Sequence, residues 1–304
     1  HIGFVREKFM EPNQYLYRQV SYDHEPIFAI GGMLAVTDPF AALDVMEEAD
    51  KVGLDVMSAG VALAWATEAS EKGIVSLADT IVPLRFGDAG AYQQAMWHLA
   101  RGENEFYRLL ASGTLRAAER FGGKDFACVL GQEMAGYATG EVFFVSQALG
   151  LRHSHLDTGG YSFDQKHIEK NAAKAVEFLV EDERSRCFLT SMVSCLFARG
   201  VYTEPRLAEC LAAVGYDGLG GNIEPVSQRI RCERWRLRMA TGYDPDRVDI
   251  PKRFSEVVTC KGPIDWHYLS EVKKEYSRRI HALAAESMRE RDKPGEEKEK
   301  STPA

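Results

Sequence analysis

The sequence predicts an all-α fold, and three observations lead to that class. Apolar residues recur at helical spacing over most of the chain, whereas the alternating pattern of strands is nearly absent. Capping residues mark the ends of the best-defined segments. With 304 residues, 45% of them hydrophobic and 27% charged, the chain can form one large or two medium helical domains.

The clearest helix is predicted at residues 38–53. Asp38 is a suitable N-cap, Pro39 fits the first helical position, and Gly53 ends the segment. A second helix is predicted at residues 58–72, because Gly73 ends it in the same way. The apolar residues of the first helix recur every three positions, at Phe40, Leu43, Met46, Ala49 and Val52.

Helical periodicity continues along the rest of the chain. Extended structure is expected at residues 15–22, with residues 81–86 as a second candidate, and residues 150–161 and 243–251 are interpreted as long connections. The charged residues 289–304 are expected to be disordered. Further helices are predicted at residues 90–101, 103–111, 114–120, 164–181, 187–198, 204–214, 223–241 and 265–291.

Charge and cysteine content exclude several classes of function. A net charge of −8 disfavours a general nucleic-acid partner, because phosphate binding needs a concentrated basic surface. No apolar run approaches the roughly 20 residues that cross a bilayer. The six cysteines include no C-x-x-C pair, which disfavours a zinc ribbon or a disulfide-stapled domain. Because no leader follows His1, we expect a cytoplasmic protein with reduced thiols.

Two separated stretches carry the residues best suited to a binding site. The first, Asp50-Lys51-Val52-Gly53-Leu54-Asp55, places two carboxylates and a glycine at a helix end, where backbone groups lack intrahelical partners. Such a turn suits the amino or amide groups of a ligand. Two solvated acids beside a helix end would give the same pattern, so that interpretation stays open.

The second stretch, Ser191-Met192-Val193-Ser194-Cys195-Leu196-Phe197, adds a thiol. We expect Cys195 to lie inside or at the end of an apolar helix. A thiolate beside such a turn suits an iron–sulfur cluster or a soft metal. A small buried hydrophobic side chain is the structural alternative for Cys195, and the other five cysteines are interpreted as structural.

Proton-transfer groups are available in two further places. Glu25 precedes Pro26 ahead of the first helix, and His153 and His155 lie in the connection before Gly159. A carboxylate and an imidazole are the groups that general acid–base chemistry uses, in a redox or a hydrolytic site. An exposed loop acid and turn-capping histidines are the structural alternatives.

The order of these residues resembles the tungsten-containing aldehyde:ferredoxin oxidoreductase family. Its D-x-x-G-L-D pterin motif is matched by Asp50 to Asp55, and Ser58-Ala59-Gly60 follows. Collinear matches from about residue 15 to residue 280 are harder to obtain by chance than any single match. Later landmarks occur in the same order, at Gln132-Glu133-Met134, residues 152–155, Cys195-Leu196-Phe197, Tyr202-Thr203, residues 229–236, Gly242-Tyr243 and residues 251–254.

This resemblance implies two helical C-terminal domains without the family's N-terminal β-rich domain. Residues 1–185 would correspond to domain 2, residues 186–288 to domain 3, and residues 289–304 to a disordered tail. The family's cofactors are a tungsten or molybdenum bis-pyranopterin and a [4Fe–4S] cluster. Three cluster cysteines belong to an upstream C-x-x-C-x-x-x-C run, so the upstream N-terminal part of the same enzyme is an implied partner.

Each candidate residue receives a role from the resemblance. Cys195 would be the fourth cluster ligand, and Ser194 would lie beside the second pterin. Where the family has D-x-x-G-L-C, residues 190–195 read Thr-Ser-Met-Val-Ser-Cys, which lacks the acid and the glycine. Hydrogen bonds or close backbone contacts to the first pterin would come from Asp50, Gly53, Leu54 and Asp55.

The implied reaction is the oxidation of an aldehyde to a carboxylic acid. Glu25 matches an acid near the metal, and His155, or else His153, matches a histidine that handles the proton of the substrate. Two electrons would pass through the cluster to ferredoxin or another electron-transfer subunit. We expect a homo-oligomer or a complex.

Three alternatives to aldehyde oxidation stay open. Residues 133–140 depart from the family's usual segment, so an aromatic acyl-CoA reductase is one of them. The altered motif before Cys195 favours a second, a non-catalytic helical paralogue or subunit. A third is a helical enzyme that uses Glu25 and His155 for acid–base chemistry without a metal.

Overall fold

The computed structural model describes residues 2–11, 14–127, 131–133, 138–152 and 154–291, and within these ranges it describes side chains from Val20 to Ser287. The described fold is helical with two small antiparallel strand pairs, so the predicted all-α class is confirmed. The first elements are β1 (Ile2–Glu11), β2 (Gln14–Tyr22), α1 (His24–Ile27), a π-helix (Phe28–Met33), α2 (Pro39–Lys51), α3 (Val56–Glu71), α4 (Leu77–Thr80), α5 (Ala89–Arg101), α6 (Glu105–Ala111) and α7 (Thr114–Phe121).

The later elements follow a 3-10 turn at Lys124–Phe126. Three more 3-10 helices occur at Leu196–Ala198, Pro245–Arg247 and Lys252–Glu256. The remaining helices and strands are α8 (Glu141–Leu149), α9 (Gly160–Lys166), α10 (Ala172–Ser191), α11 (Glu204–Ala213), α12 (Asp217–Gly220), α13 (Ile223–Ala240), β3 (Val258–Thr259), β4 (Gly262–Pro263) and α14 (Trp266–Arg291).

Backbone packing divides the chain into two compact units. The first unit contains the described residues up to 133 together with residues 251–254, and the second contains residues 138–250 and 255–291. Helix α10 continues across residue 185, where the family resemblance suggested a domain boundary. The assignment of residues 1–185, 186–288 and 289–304 to two domains and a tail stays a prediction.

Helix α3 is the centre of the first unit. Eleven of its 16 residues are buried, so the helix meets neighbouring elements on most sides, and α2, α5, α6 and α7 contribute to the same hydrophobic core. Gly60 lies against Ala29 of the π-helix, where an added Cβ would stand 2.9 Å from the Ala29 Cβ. The glycine therefore allows the π-helix and α3 to pack closely.

The second unit packs α8, α10 and α13 against the long helix α14. All nine residues of α8 are buried. The interior of the second unit also holds ionisable side chains, and the Trp235 Nε1 donates a hydrogen bond of 3.0 Å to the carboxyl group of Glu183. Buried charges need such partners because desolvation is costly. The buried charged side chains of α10 and α13 are Glu183, Arg184, Arg186 and Arg231.

Eight of the predicted helices are confirmed with ends within two residues, but the region between residues 160 and 200 differs. The predicted helices at 164–181 and 187–198 are wrong, because α9 ends at Lys166 and α10 runs from Ala172 to Ser191. Asn171 starts α10 as its N-cap, accepting a hydrogen bond from the Lys174 amide. Cys195 therefore lies four residues beyond α10, so its predicted position inside or at the end of that apolar helix is wrong, and it precedes the 3-10 helix Leu196–Ala198 instead.

Extended structure also differs from the prediction. Strand β2 confirms the expectation at residues 15–22, and it pairs with β1, which was not predicted, so that Ile2 lies opposite Tyr22. Residues 81–86 form no strand, and Ile81 adopts a left-handed φ of 62° after α4. Helix α8 was missed because it is buried on every side and therefore shows no helical stripe of apolar residues.

None of the described helices is long and apolar enough to cross a membrane. Several residues of the sequence analysis lie outside the described residues. They are His1, Cys128, residues 134–137, His153 and residues 292–304 of the expected disordered tail.

Candidate functional site

The first candidate turn lies between α2 and α3, in the first unit. Helix α2 ends at Lys51, and Gly53 adopts a left-handed φ of 76°. The Leu54 amide donates to the Ala49 carbonyl at 2.9 Å. This bond satisfies a carbonyl at the helix end, as in the Schellman motif. Asp55 then begins α3 as its N-cap.

The second candidate turn, in the second unit, has the same backbone geometry. Helix α10 ends at Ser191, Val193 adopts a φ of 57°, and the Ser194 amide donates to the Leu189 carbonyl at 2.9 Å. Cys195 begins the 3-10 helix Leu196–Ala198 with φ −69° and ψ 122°. The N-cap of α3 has φ −68° and ψ 118°, so the two chain paths continue to match beyond the turn.

Carboxylates face solvent at the first turn. The exposed Asp50 side chain makes no hydrogen bond or ion pair with the described residues, and partial burial raises the pKa of its carboxyl. Asp55 uses its Oδ2 to accept a 2.8 Å hydrogen bond from the Ser58 amide. A Cβ added at Gly53 would have no neighbour within 4 Å. The turn therefore offers acceptor oxygens beside open backbone.

The second turn offers different side chains. Thr190 donates its hydroxyl to the Arg186 and Cys187 carbonyls at 2.9 and 3.1 Å, so its own helix uses this donor. Val193 is 93% exposed. Its left-handed backbone costs about 1–3 kcal/mol in a β-branched residue. The Cys195 thiol is exposed, which excludes the interpretation of a buried hydrophobic side chain.

Glu25 belongs to the same unit as the first turn. It lies on α1 and is half-buried, so it is not an exposed loop acid. Helix α1 and the following π-helix both contact α3, whose first turn Asp55 caps. π-Helical segments are frequent at functional sites. The packing thus places the Glu25 segment and the Asp55-capped helix together in one hydrophobic unit.

His155 lies in the connection between α8 and α9 of the second unit, and it is half-buried. The buried Asp157 shapes this connection, because its carboxylate accepts hydrogen bonds from the Arg152 amide at 2.6 Å and from the Arg152 Nε at 2.7 Å. The carbonyl of His155 accepts a 3.2 Å hydrogen bond from Arg186 of α10. The connection is therefore fixed by buried polar contacts.

The structure thus divides the predicted site residues between its two units. His153 lies outside the described residues, so its position stays a prediction. Glu25, Asp50, Gly53, Leu54 and Asp55 belong to the first unit, and His155, Ser194 and Cys195 belong to the second.

A pterin fits the first turn better than the second. Its amino and ring nitrogens need acceptors, and Asp50 provides a carboxylate that the described part of the protein leaves unused. The second turn has neither the acid nor the open glycine, since Thr190 and Val193 replace them. It does have an accessible thiol at Cys195, which suits an iron–sulfur cluster.

The burial of Arg186 and the left-handed backbone of Val193 were not predicted from the sequence, and Glu133 received no role. Arg186 is buried, although its surroundings in the sequence resemble a solvated helix face, so no local signal identifies it. Val193 stands at the glycine position of the family motif, and that mismatch is a signal for strain. Glu133 accepts hydrogen bonds from the amide and hydroxyl of Thr114 at 2.9 Å, so it stabilises the start of α7.

Comparisons with known proteins confirm the family resemblance seen in the sequence. A family model described as aldehyde ferredoxin oxidoreductase, domains 2 and 3, matches residues 6–280. Tungsten-containing aldehyde ferredoxin oxidoreductases of Pyrococcus horikoshii and Pyrococcus abyssi are 26% and 27% identical over 265 residues. That of Pyrococcus furiosus is 25% identical over 267 residues. Each match covers 81% of this chain and 43% of the relative, so the chain spans less than half the length of these relatives.

Proposed function

Because the chain matches domains 2 and 3 of the aldehyde ferredoxin oxidoreductase family and therefore belongs to that family, we propose that it is the C-terminal part of a tungsten or molybdenum pterin enzyme. The proposed reaction is the oxidation of an aldehyde to a carboxylic acid. Each turnover consumes water and releases two protons and two electrons. The observation that carries this proposal is the first turn, where an unused carboxylate at Asp50 stands beside the open glycine Gly53.

Cofactor binding is proposed for both turns. The carboxylates of Asp50 and Asp55 accept hydrogen bonds from one pterin, and Gly53 and Leu54 bring the backbone next to it. When bound, the pterin-held metal supplies the two-electron redox chemistry. Cys195 supplies one thiolate to a [4Fe–4S] cluster, and the other three ligands come from the N-terminal part of the enzyme.

Glu25 and His155 are proposed as the proton-transfer groups. Aldehyde oxidation releases two protons, and imidazole is the side chain that most readily exchanges a proton near neutral pH. The half-buried position of His155 limits its contact with water, and buried contacts fix its connection. His153 remains the second candidate for this role. A cluster held by Cys195 would supply electron transfer to ferredoxin or another electron-transfer subunit, and we propose a cytoplasmic homo-oligomer or complex.

The altered second turn favours one other function. Thr190 has no carboxylate for a pterin amino group and its hydroxyl donates to its own helix, and Val193 occupies the position of the family's glycine. A non-catalytic paralogue that keeps the fold and docks on an active partner would have these features. Such a protein would bind neither metal nor cluster.

Elemental analysis tests the proposal. The natively purified polypeptide that contains these residues, handled anaerobically, is analysed for tungsten, molybdenum and iron. We expect tungsten or molybdenum together with about four irons per copy. Folded, intact protein without metal would overturn the enzymatic proposal and support the paralogue.

A second test addresses the reaction itself. His155→Ala should reduce aldehyde-dependent reduction of ferredoxin without changing metal content, whereas His267→Ala, at an exposed position of α14, should leave the rate unchanged. Reduction of an aromatic acyl-CoA instead of aldehyde oxidation would replace the proposed substrate class. Loss of metal in His155→Ala would contradict a role in proton transfer.

A further inference from the structure

Arg186 of α10 is a buried guanidinium that faces the connection carrying His155. Only 5% of its side chain is exposed. Its Nε donates to the Asp182 carboxylate at 2.5 Å, and its Nη1 donates to the carbonyls of His155 and Leu156 at 3.2 and 3.5 Å. A buried guanidinium is stable only when its donors are used. The loop carbonyls therefore complete the pairing of Arg186.

Gly159 fixes the later part of the same connection. Its amide donates a 2.6 Å hydrogen bond to the Asp182 carboxylate. A Cβ added at Gly159 would stand only 2.8 Å from the Nη2 of Arg186, so a side chain there would displace the guanidinium from this position. The ion pair between Asp182 and Arg186 thus holds the connection at residues 155 and 159.

Tyr161 continues this network toward the second turn. The Arg186 Nη2 donates to the Tyr161 hydroxyl at 3.4 Å, and the Arg199 Nη2 donates to the same oxygen at the shorter distance of 3.0 Å. The Arg199 Nη1 also donates to the Leu196 carbonyl at 2.8 Å. Leu196 directly follows Cys195. The Tyr161 hydroxyl oxygen therefore accepts one hydrogen bond from Arg186, which contacts the His155 connection, and one from Arg199, which contacts the segment after Cys195.

We propose that Tyr161 is a positioning residue that couples the His155 connection to the Cys195 turn through Arg186 and Arg199. The coupling consists of hydrogen bonds within the second unit. Its effect on catalysis rests on the proposed function. It would keep the proton-transfer imidazole and the cluster thiolate in one fixed arrangement. Both donors to the Tyr161 oxygen are guanidinium groups, and hydrogen bonds from charged donors are stronger than those from neutral ones.

Hydrogen–deuterium exchange of the natively purified protein tests the coupling. Tyr161→Phe removes the shared oxygen but keeps the ring, which packs edge-to-face with Phe143. We expect exchange to become about five- to tenfold faster in peptides covering residues 150–160 and 192–202. Arg199→Met should also accelerate residues 150–160, although Arg199 reaches them only through Tyr161. In the Tyr161→Phe background it should add little there.

Two outcomes of this experiment would overturn the proposal. The first is an Arg199→Met effect confined to residues 192–202. The second is a uniform acceleration over α13 and α14 in Tyr161→Phe, which would indicate general loss of stability. Tyr216→Phe is the matched control, because Tyr216 is an exposed phenol of the same unit, and it should change neither peptide set.

The loaded enzyme provides a further readout. Tyr161→Phe should lower kcat about tenfold with KM unchanged and should alter the EPR signal of the reduced cluster. Unchanged kcat and EPR signal would overturn the positioning role. A wild-type enzyme without any cluster would overturn the proposed function, but the exchange result would still decide whether Tyr161 couples the two segments.

Discussion

The two candidate turns have the same backbone and different chemistry. In each, a helix ends, one residue adopts a left-handed conformation, and the next amide bonds to a carbonyl five residues earlier at 2.9 Å. At the first turn the left-handed residue is Gly53 and the residue before the next helix is Asp55. At the second turn these positions hold Val193 and Cys195.

This difference separates what the backbone requires from what a ligand requires. The hydrogen bond at the helix end is made by main-chain atoms, so it survives the replacement of glycine by Val193 at a cost in strain. Ligand contacts depend on side chains, and the acid at Asp50 has no equivalent at Thr190. The second turn therefore has the same backbone as the first, with strain at Val193, and it presents a thiol at Cys195 where the first presents a carboxylate.

The helices that lead into the turns also differ. The buried residues of α2 are all apolar, whereas those of α10 include Glu183, Arg184 and Arg186. Apolar burial is insensitive to pH, but a buried carboxyl is not. The second turn therefore depends on electrostatics to a degree that the first does not.

The largest expected effect concerns the thiol that distinguishes the second turn. Cys195→Ser in the assembled enzyme should abolish or convert the [4Fe–4S] cluster, because a serine hydroxyl is a poor substitute for a thiolate ligand. Iron content and the EPR spectrum of the reduced protein measure this. Cys210→Ser is the control, since Cys210 is also exposed but lies on α11. An unchanged cluster in Cys195→Ser would remove the proposed role of the second turn.

Exchanging the left-handed residues tests whether the two backbones are equivalent. Gly53→Val should destabilise the protein by about 2–3 kcal/mol, because nothing crowds the site and only backbone strain acts. Val193→Gly should stabilise it by about 1 kcal/mol, since strain is relieved and little apolar burial is lost. Urea denaturation measures both. If both substitutions changed the free energy of unfolding in the same direction, the two turns would not be equivalent.

Stability should depend on pH through the helix that leads into the second turn. Burial raises the pKa of Glu183 to about 7 from an ordinary value of 4.5. The native state therefore holds a proton that the unfolded state releases between these values, so stability falls as pH rises from 5 toward 7.5. We expect a loss of about 2 kcal/mol over this range, measured by urea denaturation at each pH.

Glu183→Gln provides the control for this pH dependence, because its amide oxygen can still accept the Trp235 hydrogen bond. The variant should show a smaller fall in stability over the same pH range. Some pH dependence should remain, since burial also raises the pKa of Asp164 in the second unit to about 6. An identical pH profile in the variant would contradict the assignment to Glu183.

The smallest expected effect separates the two roles of Asp55 at the first turn. Asp55→Ala removes the cap of α3 and should cost about 1 kcal/mol in the free energy of unfolding, whereas Asp55→Asn keeps a capping oxygen and should cost less. Both should weaken tungsten retention if the negative charge binds the pterin. Full metal content in both variants would leave Asp55 as a structural cap alone.

Much of the fold followed from local patterns in the sequence. Asp38, Pro39 and Gly53 defined α2 because capping acts within a few residues, and the structure confirms that helix. The predicted helix at 187–198 was wrong because helical periodicity gives no sign of the left-handed Val193, which only the comparison with the family's glycine marks. Helix α8 was missed because complete burial removes the polar face that periodicity needs.

For the candidate site, the sequence determined which chemical groups are present and in what order. The collinear matches to the family's motifs identified the family. The sequence also predicted the first turn, because a helix end and its first hydrogen bonds depend on neighbouring residues, whereas the second turn fell inside a predicted helix. Only the tertiary structure decided which groups are accessible, with Cys195 exposed and Glu183 enclosed. Burial and contacts such as that between Arg186 and the His155 carbonyl join residues distant in the chain, and no local pattern specifies them.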